Sequence, residues 1–85
     1  MIGIYKITSP TKRIYIGQSV SIEKRFKSYK YKIPHEQPRL RNSFLKHGID
    51  KHNFEVLCEC EISELNDKER YYQDLYNATS ENGLN

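Results

Sequence analysis

The first part of the chain alternates apolar and polar positions in the way that is typical of β-strands. Residues 2–7 and 13–17 are rich in β-branched and aromatic side chains, and a loop of about five residues with a proline separates them. This pattern predicts a β-hairpin. Because successive side chains of a strand point to opposite faces, Tyr5 and Tyr15 should emerge together on one face. The other face would hold Ile2, Ile4, Ile14 and Ile16.

Three later segments repeat apolar residues at spacings of three and four, which is the period of a helix. The first helix should begin after Ser21, a predicted N-cap. The second spans residues 38–47 and ends at Gly48. The third is expected to run from an N-cap at Ser63 to about Tyr76.

Residues 53–61 predict a third strand, with Phe54, Val56, Cys58 and Cys60 on one face. The element order is then β-β-α-α-β-α, which indicates the α+β class: a three-stranded, mainly antiparallel sheet flanked by three helices. Since 85 residues can form only one small core, we expect a single domain over residues 1–85. The order of the strands within the sheet stays open.

Composition supports a folded domain, with 36% hydrophobic and 29% charged residues. No apolar run approaches the roughly 20 residues that a membrane span needs, and the first residues lack a signal-peptide pattern. We therefore expect an intracellular domain that does not enter a membrane.

Charge is distributed unevenly along the chain. Residues 1–32 carry eight lysines and arginines against one glutamate, whereas residues 53–85 carry two basic and eight acidic residues. This asymmetry favours a nucleic-acid partner for the first half. Solvated lysines on a small soluble domain would explain it as well.

The two cysteines, Cys58 and Cys60, lie two residues apart, a spacing that makes a disulfide geometrically poor. Two buried thiols are the simplest interpretation. A metal site with one of His35, His47 or His52 is an alternative, although the spacing is not the usual one for zinc.

Two charged residues fall within apolar helical stripes: Arg25 in the first helix and Glu69 in the third. A charge that faces a core costs free energy unless it is partnered. The two could form an internal ion pair, or each could lie at the edge of its stripe. Together with two tyrosines on one sheet face, they point towards a functional site.

Such a set of side chains suits phosphodiester cleavage. A carboxylate can hold Mg²⁺, a guanidinium can bind phosphate through two hydrogen bonds, and a tyrosine hydroxyl can orient or deprotonate water. The free tyrosine pKa of about 10 is too high for an efficient base near neutrality, so a nearby positive charge would have to lower it.

Two short motifs lie in the predicted hairpin: residues 3–5 read Gly-Ile-Tyr and residues 15–17 read Tyr-Ile-Gly. With these motifs the chain resembles the GIY-YIG endonuclease family, and in particular the catalytic module of GIY-YIG homing endonucleases. The similarity covers the whole length and continues through Arg25, residues 42–48, Glu69 and residues 82–85.

The resemblance implies a metal-dependent endonuclease that hydrolyses DNA one strand per active site, with one Mg²⁺ or Mn²⁺. It makes Glu69 the metal ligand and Arg25 the clamp on the phosphate. Tyr5 would be the general base or water-orienting group, and Tyr15 its partner across the hairpin. A double-strand break would need two visits or two copies of the site.

Three further positions match the family less directly. Asn85 resembles a late asparagine that would support the site by hydrogen bonding. Tyr29 stands where relatives carry histidine or tyrosine and would help to activate Tyr5. His35 resembles a histidine of homing-type members, but it also fits an ordinary surface position in a loop.

The sequence departs from the family at Leu84, where members usually have tyrosine or phenylalanine, and in lacking the separate DNA-binding domain that relatives carry. A partner domain or subunit would then supply specificity. Within this chain, phosphate contacts are expected from basic residues, which position DNA without reading its sequence. The candidates are Lys12, Arg13, Lys24, Lys27, Lys30, Arg39 and Arg41.

Two other functions stay open at this stage. A non-catalytic nucleic-acid-binding module would keep the fold and the basic residues without cutting. A small protein-interaction domain would use the acidic second half of the chain, although no motif supports it.

Overall fold

The computed structural model describes all residues, 1–85, and confirms the predicted order of elements. The strands and helices are β1 (Gly3–Thr8), β2 (Ile14–Ser19), α1 (Ile22–Tyr31), α2 (Pro38–His47), β3 (Asn53–Glu59) and α3 (Leu65–Leu75). Short 3-10 turns at Ile49–Lys51 and Ile62–Glu64 precede β3 and α3. None of the helices has the length and apolar character to cross a membrane.

The three strands form one antiparallel sheet in the order β2-β1-β3. β1 occupies the centre because both of its edges are paired, with Tyr5 opposite Gly17 on one side and Val56 on the other. Ile4 and Ile7 in this central strand are each 0% exposed. The predicted α+β class and antiparallel sheet are confirmed.

The sheet is covered on both faces. Its tyrosine face, formed by Tyr5, Ile7 and Tyr15, packs against side chains of α1 and α2. Its isoleucine face, formed by Ile4 and Ile16, packs against Leu65 of α3 and the segment that follows that helix. Tyr5 and Tyr15 therefore lie on the face opposite Ile4 and Ile16, as the alternation predicts.

The prediction for β3 was wrong in one respect. Ile4 pairs with Cys58 whereas the next residue, Tyr5, pairs with Val56, so Leu57 is an extra residue in the strand. This bulge reverses the alternation: Phe54 packs on the tyrosine face, whereas Leu57, Cys58 and Cys60 pack on the isoleucine face. The four residues predicted to share one face are consequently divided between two. Cys58 and Cys60 are half-buried free thiols.

The helix ends confirm some predicted signals and correct one. Ser21 is the N-cap residue of α1, although its hydroxyl makes no capping hydrogen bond, and Gly48 ends α2 with a φ of 87° that favours glycine. Ser63 is not a cap. It lies inside the 3-10 turn before α3, where Glu61 and Glu64 form a reciprocal capping box.

The final residues lie along the outer edge of β2. The Leu84 backbone N–H donates to the Ile14 carbonyl at 2.9 Å. The Asn85 side chain accepts from the Ile16 N–H at 2.7 Å and donates to the Ile16 carbonyl at 2.8 Å. These bonds satisfy backbone groups that an edge strand would otherwise leave unpaired.

Candidate active site

The tyrosine face is shaped by a glycine of the hairpin. The ring of Tyr5 lies across Gly17 on the neighbouring strand, and a Cβ atom at Gly17 would collide with the Tyr5 ring and hydroxyl. A glycine at this position therefore lets the Tyr5 hydroxyl reach across β2. This contact is the physical reason why the second tripeptide ends in glycine.

A chain of hydrogen bonds joins three tyrosines through one glutamine. The hydroxyls of Tyr5 and Tyr29 are 2.8 Å apart. Tyr29 donates to Gln37 Oε1 at 3.2 Å, and Gln37 Nε2 donates to the Tyr15 hydroxyl at 2.7 Å. Because these residues come from β1, β2, α1 and the N-cap of α2, the chain assembles only when the domain has folded.

Aromatic packing holds the rings in place. Tyr5 meets Phe26 edge-on with ring centroids 5.3 Å apart and lies 6.2 Å from the ring of Tyr15. Tyr29 packs edge-on against Phe44 at 5.7 Å. Edge-to-face contacts at these distances are favourable and directional, so the hydroxyls have little freedom to turn away.

Both hairpin tyrosines are protonated in the protein by itself. Burial is the main reason why the pKa values of Tyr5 and Tyr15 lie above the ordinary value of 10.0, and the neighbouring Tyr29 raises both further. Arg25 acts in the opposite direction and lowers both pKa values. A positive charge near these hydroxyls therefore favours their ionised form.

Arg25 is exposed, so of the two placements left open it lies at the edge of its stripe. Its long side chain leaves the edge of the α1 stripe and lines a cleft of about 360 Å³ together with Tyr29, His35 and Gln37. His35 is an exposed loop residue in the same cleft. Arg25, His35 and the two middle members of the hydrogen-bonded chain, Tyr29 and Gln37, thus border a single cleft.

Glu69 is half-buried on α3 rather than fully enclosed. Its Oε1 accepts a hydrogen bond from Gln18 Nε2 at 3.2 Å, and the same nitrogen donates to Asn66 at 2.9 Å. Burial and Tyr29 are the larger reasons for the raised pKa of Tyr15, but the Glu69 carboxylate also raises it. Glu69 therefore lies near enough to the tyrosine face for its negative charge to affect the Tyr15 hydroxyl.

An internal ion pair between Arg25 and Glu69 does not form. The salt bridges of the protein join the amino terminus to Glu23 at 2.7 Å and Lys6 to Glu55 at 3.6 Å. Both proposed site charges are consequently free to bind a ligand.

The donor set can be compared with what a divalent cation requires. No three or more histidine, cysteine or acidic side chains gather into a cage, at Cys58 and Cys60 or elsewhere. Mg²⁺ commonly binds through one or two carboxylates and completes its octahedron with water and substrate phosphate oxygens. Glu69, with one oxygen accepting from Gln18 and its other oxygen without a protein partner, fits that mode of binding.

The basic candidates differ in how they are presented. Lys24, Lys27 and Lys30 are exposed on α1, and Lys12 and Arg13 are exposed in the hairpin loop. Two others are partly engaged within the protein. Arg39 donates through Nη1 to the carbonyls of Ser80, Gly83 and Asn85, and Arg41 is half-buried with its Nε unpaired.

Two residues of the site were missed by the sequence analysis, Gln18 and Gln37. Neither belongs to a quoted motif, and both act through long side chains whose direction depends on the fold. The position of Gln18, three residues before the cap of α1, and that of Gln37, directly before Pro38, carried no chemical signal of their own.

Comparison with known proteins agrees with this geometry. The family model described as the GIY-YIG catalytic domain matches residues 1–85. Among solved structures, the catalytic domain of the homing endonuclease I-TevI is similar with a TM-score of 0.86 and 26% identity, covering 100% of this chain and 97% of that one. Curated protein sequences gave no match. The chain therefore belongs to the GIY-YIG catalytic domain family and is an endonuclease of that type.

Proposed function

We propose that this domain hydrolyses DNA phosphodiester bonds in a metal-dependent reaction, cutting one strand per active site with one Mg²⁺ or Mn²⁺. The observation that carries the proposal is the hydrogen-bonded chain from Tyr5 to Tyr15, with an exposed Arg25 and a half-buried Glu69 beside it. The similar solved structure is the catalytic domain of a homing endonuclease, which supports DNA as the substrate.

Charge stabilisation would come from Arg25 and Glu69. The Arg25 guanidinium borders an open cleft and can donate two parallel hydrogen bonds to a phosphate, which opposes the charge that develops during cleavage. Glu69 would hold the divalent cation, which when bound supplies Lewis-acid stabilisation of the phosphate and help for the leaving oxygen.

The tyrosines would orient and activate the attacking water. Tyr5 is the proposed base or water-orienting group, with Tyr15 as its partner and Tyr29 bonded to its hydroxyl. Because burial raises the pKa of Tyr5, the positive charge of Arg25 must act on it before it can accept a proton near neutrality. His35 would act from the cleft that it shares with Arg25. Asn85 would hold the strand that carries Tyr15.

DNA would be held mainly through its phosphates. The exposed basic residues can neutralise backbone charge, but such contacts do not read sequence. We therefore propose that target choice comes from a separate DNA-binding domain or subunit. The substrate would be DNA inside a microbial or virus-infected cell.

Nicking of supercoiled plasmid with Mn²⁺ tests this function. The wild-type domain should relax the plasmid, and Glu69→Ala should reduce nicking by about 10³-fold or more, because an unpositioned cation cannot stabilise the reaction. Asp67→Ala is the matched control, since Asp67 is an exposed carboxylate on the same helix and lies outside the site. Circular dichroism should show both variants folded.

A different outcome would favour a non-catalytic nucleic-acid-binding module. In that case the wild-type domain would retard DNA in a gel but leave it intact at high metal concentration. Failure to bind any nucleic acid at low salt, where phosphate contacts are strongest, would instead revive a protein-interaction role.

A further inference from the structure

Gln37 occupies the N-cap of α2, yet its side chain makes no capping hydrogen bond. Serine, threonine, aspartate and asparagine are the residues that stabilise this position by capping. Gln37 instead extends its amide between Tyr15 and Tyr29. A residue that does not serve its local element but bridges two candidate catalytic residues indicates a role in the site.

The two bonds of Gln37 set the direction of the whole tyrosine chain. Tyr29 has a single hydroxyl proton, and it donates that proton to Gln37 Oε1. Its oxygen can then only accept from Tyr5, so Tyr5 is the donor in the 2.8 Å contact between them. At the other end, Gln37 Nε2 donates to Tyr15.

This direction makes the two hairpin tyrosines unequal. The Tyr5 proton is committed to Tyr29, whereas the Tyr15 oxygen receives a hydrogen bond and its own proton is left to donate elsewhere. Tyr15 lines a cleft of about 300 Å³ with Gln37 and Asn85, into which a water or phosphate oxygen could enter. A donor on the phenolic oxygen also favours its negative form.

We propose that Gln37 is a positioning residue that fixes the proton order of the tyrosine chain, keeping the Tyr15 oxygen an acceptor and its proton available to the cleft. The proposal rests on the nuclease function above. It assigns a role to a residue outside the two tripeptides, and it concerns orientation within the site rather than contact with the cleaved bond.

Two substitutions separate orientation from shape. Gln37→Met keeps the length of the side chain but removes both hydrogen bonds. Gln37→Glu keeps the shape and an acceptor for Tyr29, but an ionised carboxylate cannot donate to Tyr15. The matched control is Gln73→Met, since Gln73 is a half-buried glutamine of α3 with no side-chain hydrogen bond.

In plasmid nicking, both Gln37 variants should lose about tenfold in kcat with KM for DNA within about twofold of wild type, because orientation is lost without loss of binding. Gln73→Met should match the wild type. A variant of Gln37 that raises KM alone, or that leaves kcat unchanged, would overturn the proposal. If Gln37→Met does not fold, Gln37→Glu decides it.

A spectroscopic measurement separates failure of this proposal from failure of the nuclease function. NMR of protein with ¹³Cζ-labelled tyrosine, without metal or DNA, reports on each phenol, and Tyr15→Phe identifies the Tyr15 signal. Gln37→Glu should shift the Tyr15 signal while the exposed Tyr31 and Tyr71 signals stay in place. If Gln37→Glu shifts the Tyr15 signal but the wild-type domain does not nick DNA, only the nuclease function is overturned. An unchanged Tyr15 signal would overturn the role of Gln37.

Discussion

The two faces of the central hairpin are built from alternate residues of the same strands and have different tasks. The tyrosine face is covered by α1 and α2 and contains hydroxyls joined in a hydrogen-bonded chain. The isoleucine face is covered by α3 and holds a buried apolar cluster, with Gln18 at its edge donating to Glu69 of that helix. Burial is similar, since Tyr5 is 1% and Ile4 is 0% exposed. The tyrosine hydroxyls are therefore separated from the apolar packing under α3 by a single step along the strand, whereas Glu69 belongs to α3 itself.

The difference shows what burial accomplishes on each side. On the isoleucine face, removing apolar area from water stabilises the fold directly. On the tyrosine face the same removal from water raises the pKa of Tyr5 and Tyr15, and the positive charge of Arg25 lowers both. Adjacent residues can be substituted to test whether the separation holds.

The largest effect is expected for Tyr5→Phe, which removes one hydroxyl and leaves the ring in place. Nicking should fall by about 10²-fold or more, because general acid–base groups contribute about that much. Unfolding free energy should change by only about 1 kcal/mol, the net value of one hydrogen bond. Single-turnover nicking and urea denaturation measure the two quantities. If the decrease in unfolding free energy were as large as the free-energy equivalent of the lost nicking rate, the two faces would not be separate.

The adjacent residue should show the reverse behaviour. Ile4→Ala empties part of the core under α3 and should destabilise the domain by about 2–5 kcal/mol. The folded fraction should keep the wild-type rate constant, because no hydroxyl or charge of the site is removed. Ile4→Val, expected to cost about 1 kcal/mol, provides a milder form if Ile4→Ala is unfolded. A rate constant reduced more than twofold in Ile4→Val would contradict the comparison.

The smallest effect concerns a histidine beside the tyrosine face. His52 packs edge-on against Phe44 at 4.7 Å, and its ring bonds to Ser43 at 2.6 Å and to the Gly48 carbonyl at 2.8 Å. Burial lowers the pKa of His52 below its ordinary value of 6.5, so the fold favours the neutral ring. Its contribution to stability should be complete above pH 6.5 and decline as the pH falls below that value.

Urea midpoints between pH 7.5 and pH 5 measure this decline. His52→Gln should flatten the pH dependence in that window, whereas His35→Gln, in an exposed loop, should keep it. An equal pH dependence in wild type and His52→Gln would assign the titration to another group. The isoleucine face carries no histidine, so its contribution should not vary over the same range.

Much of the fold was predictable because local periodicity determines it. The period of two along residues 2–7 and 13–17 assigned Tyr5 and Tyr15 to one face and Ile4 and Ile16 to the other, as observed. The limits of α2 were also predicted, since Pro38 fixes φ at the start of the helix and Gly48 permits the positive φ at its end. The bulge at Leu57 was not predictable, because it exists only in the pairing of β3 with β1.

Candidate residues of the site could be named from the sequence, but their geometry could not be predicted. Helical spacing marked Arg25 and Glu69 as unusual, but it specifies only the direction in which a side chain leaves the helix. A long arginine at the edge of a stripe can turn outward to solvent, as Arg25 does. Gln37 was not predicted, because it lies in a loop before a proline, where no periodic pattern indicates the direction of a side chain.

The sequence by itself determined the class of fold, the two-faced hairpin and the residues that resemble a nuclease site, since these follow from period, turn residues and motif. The strand order, the bulge in β3, the exposure of Arg25 and the bridge through Gln37 were decided by tertiary structure alone. Each of these depends on contacts between segments that are distant in the chain. Strand pairing and the contacts of long side chains cannot be deduced from the local sequence pattern, and they determine how the candidate residues are arranged.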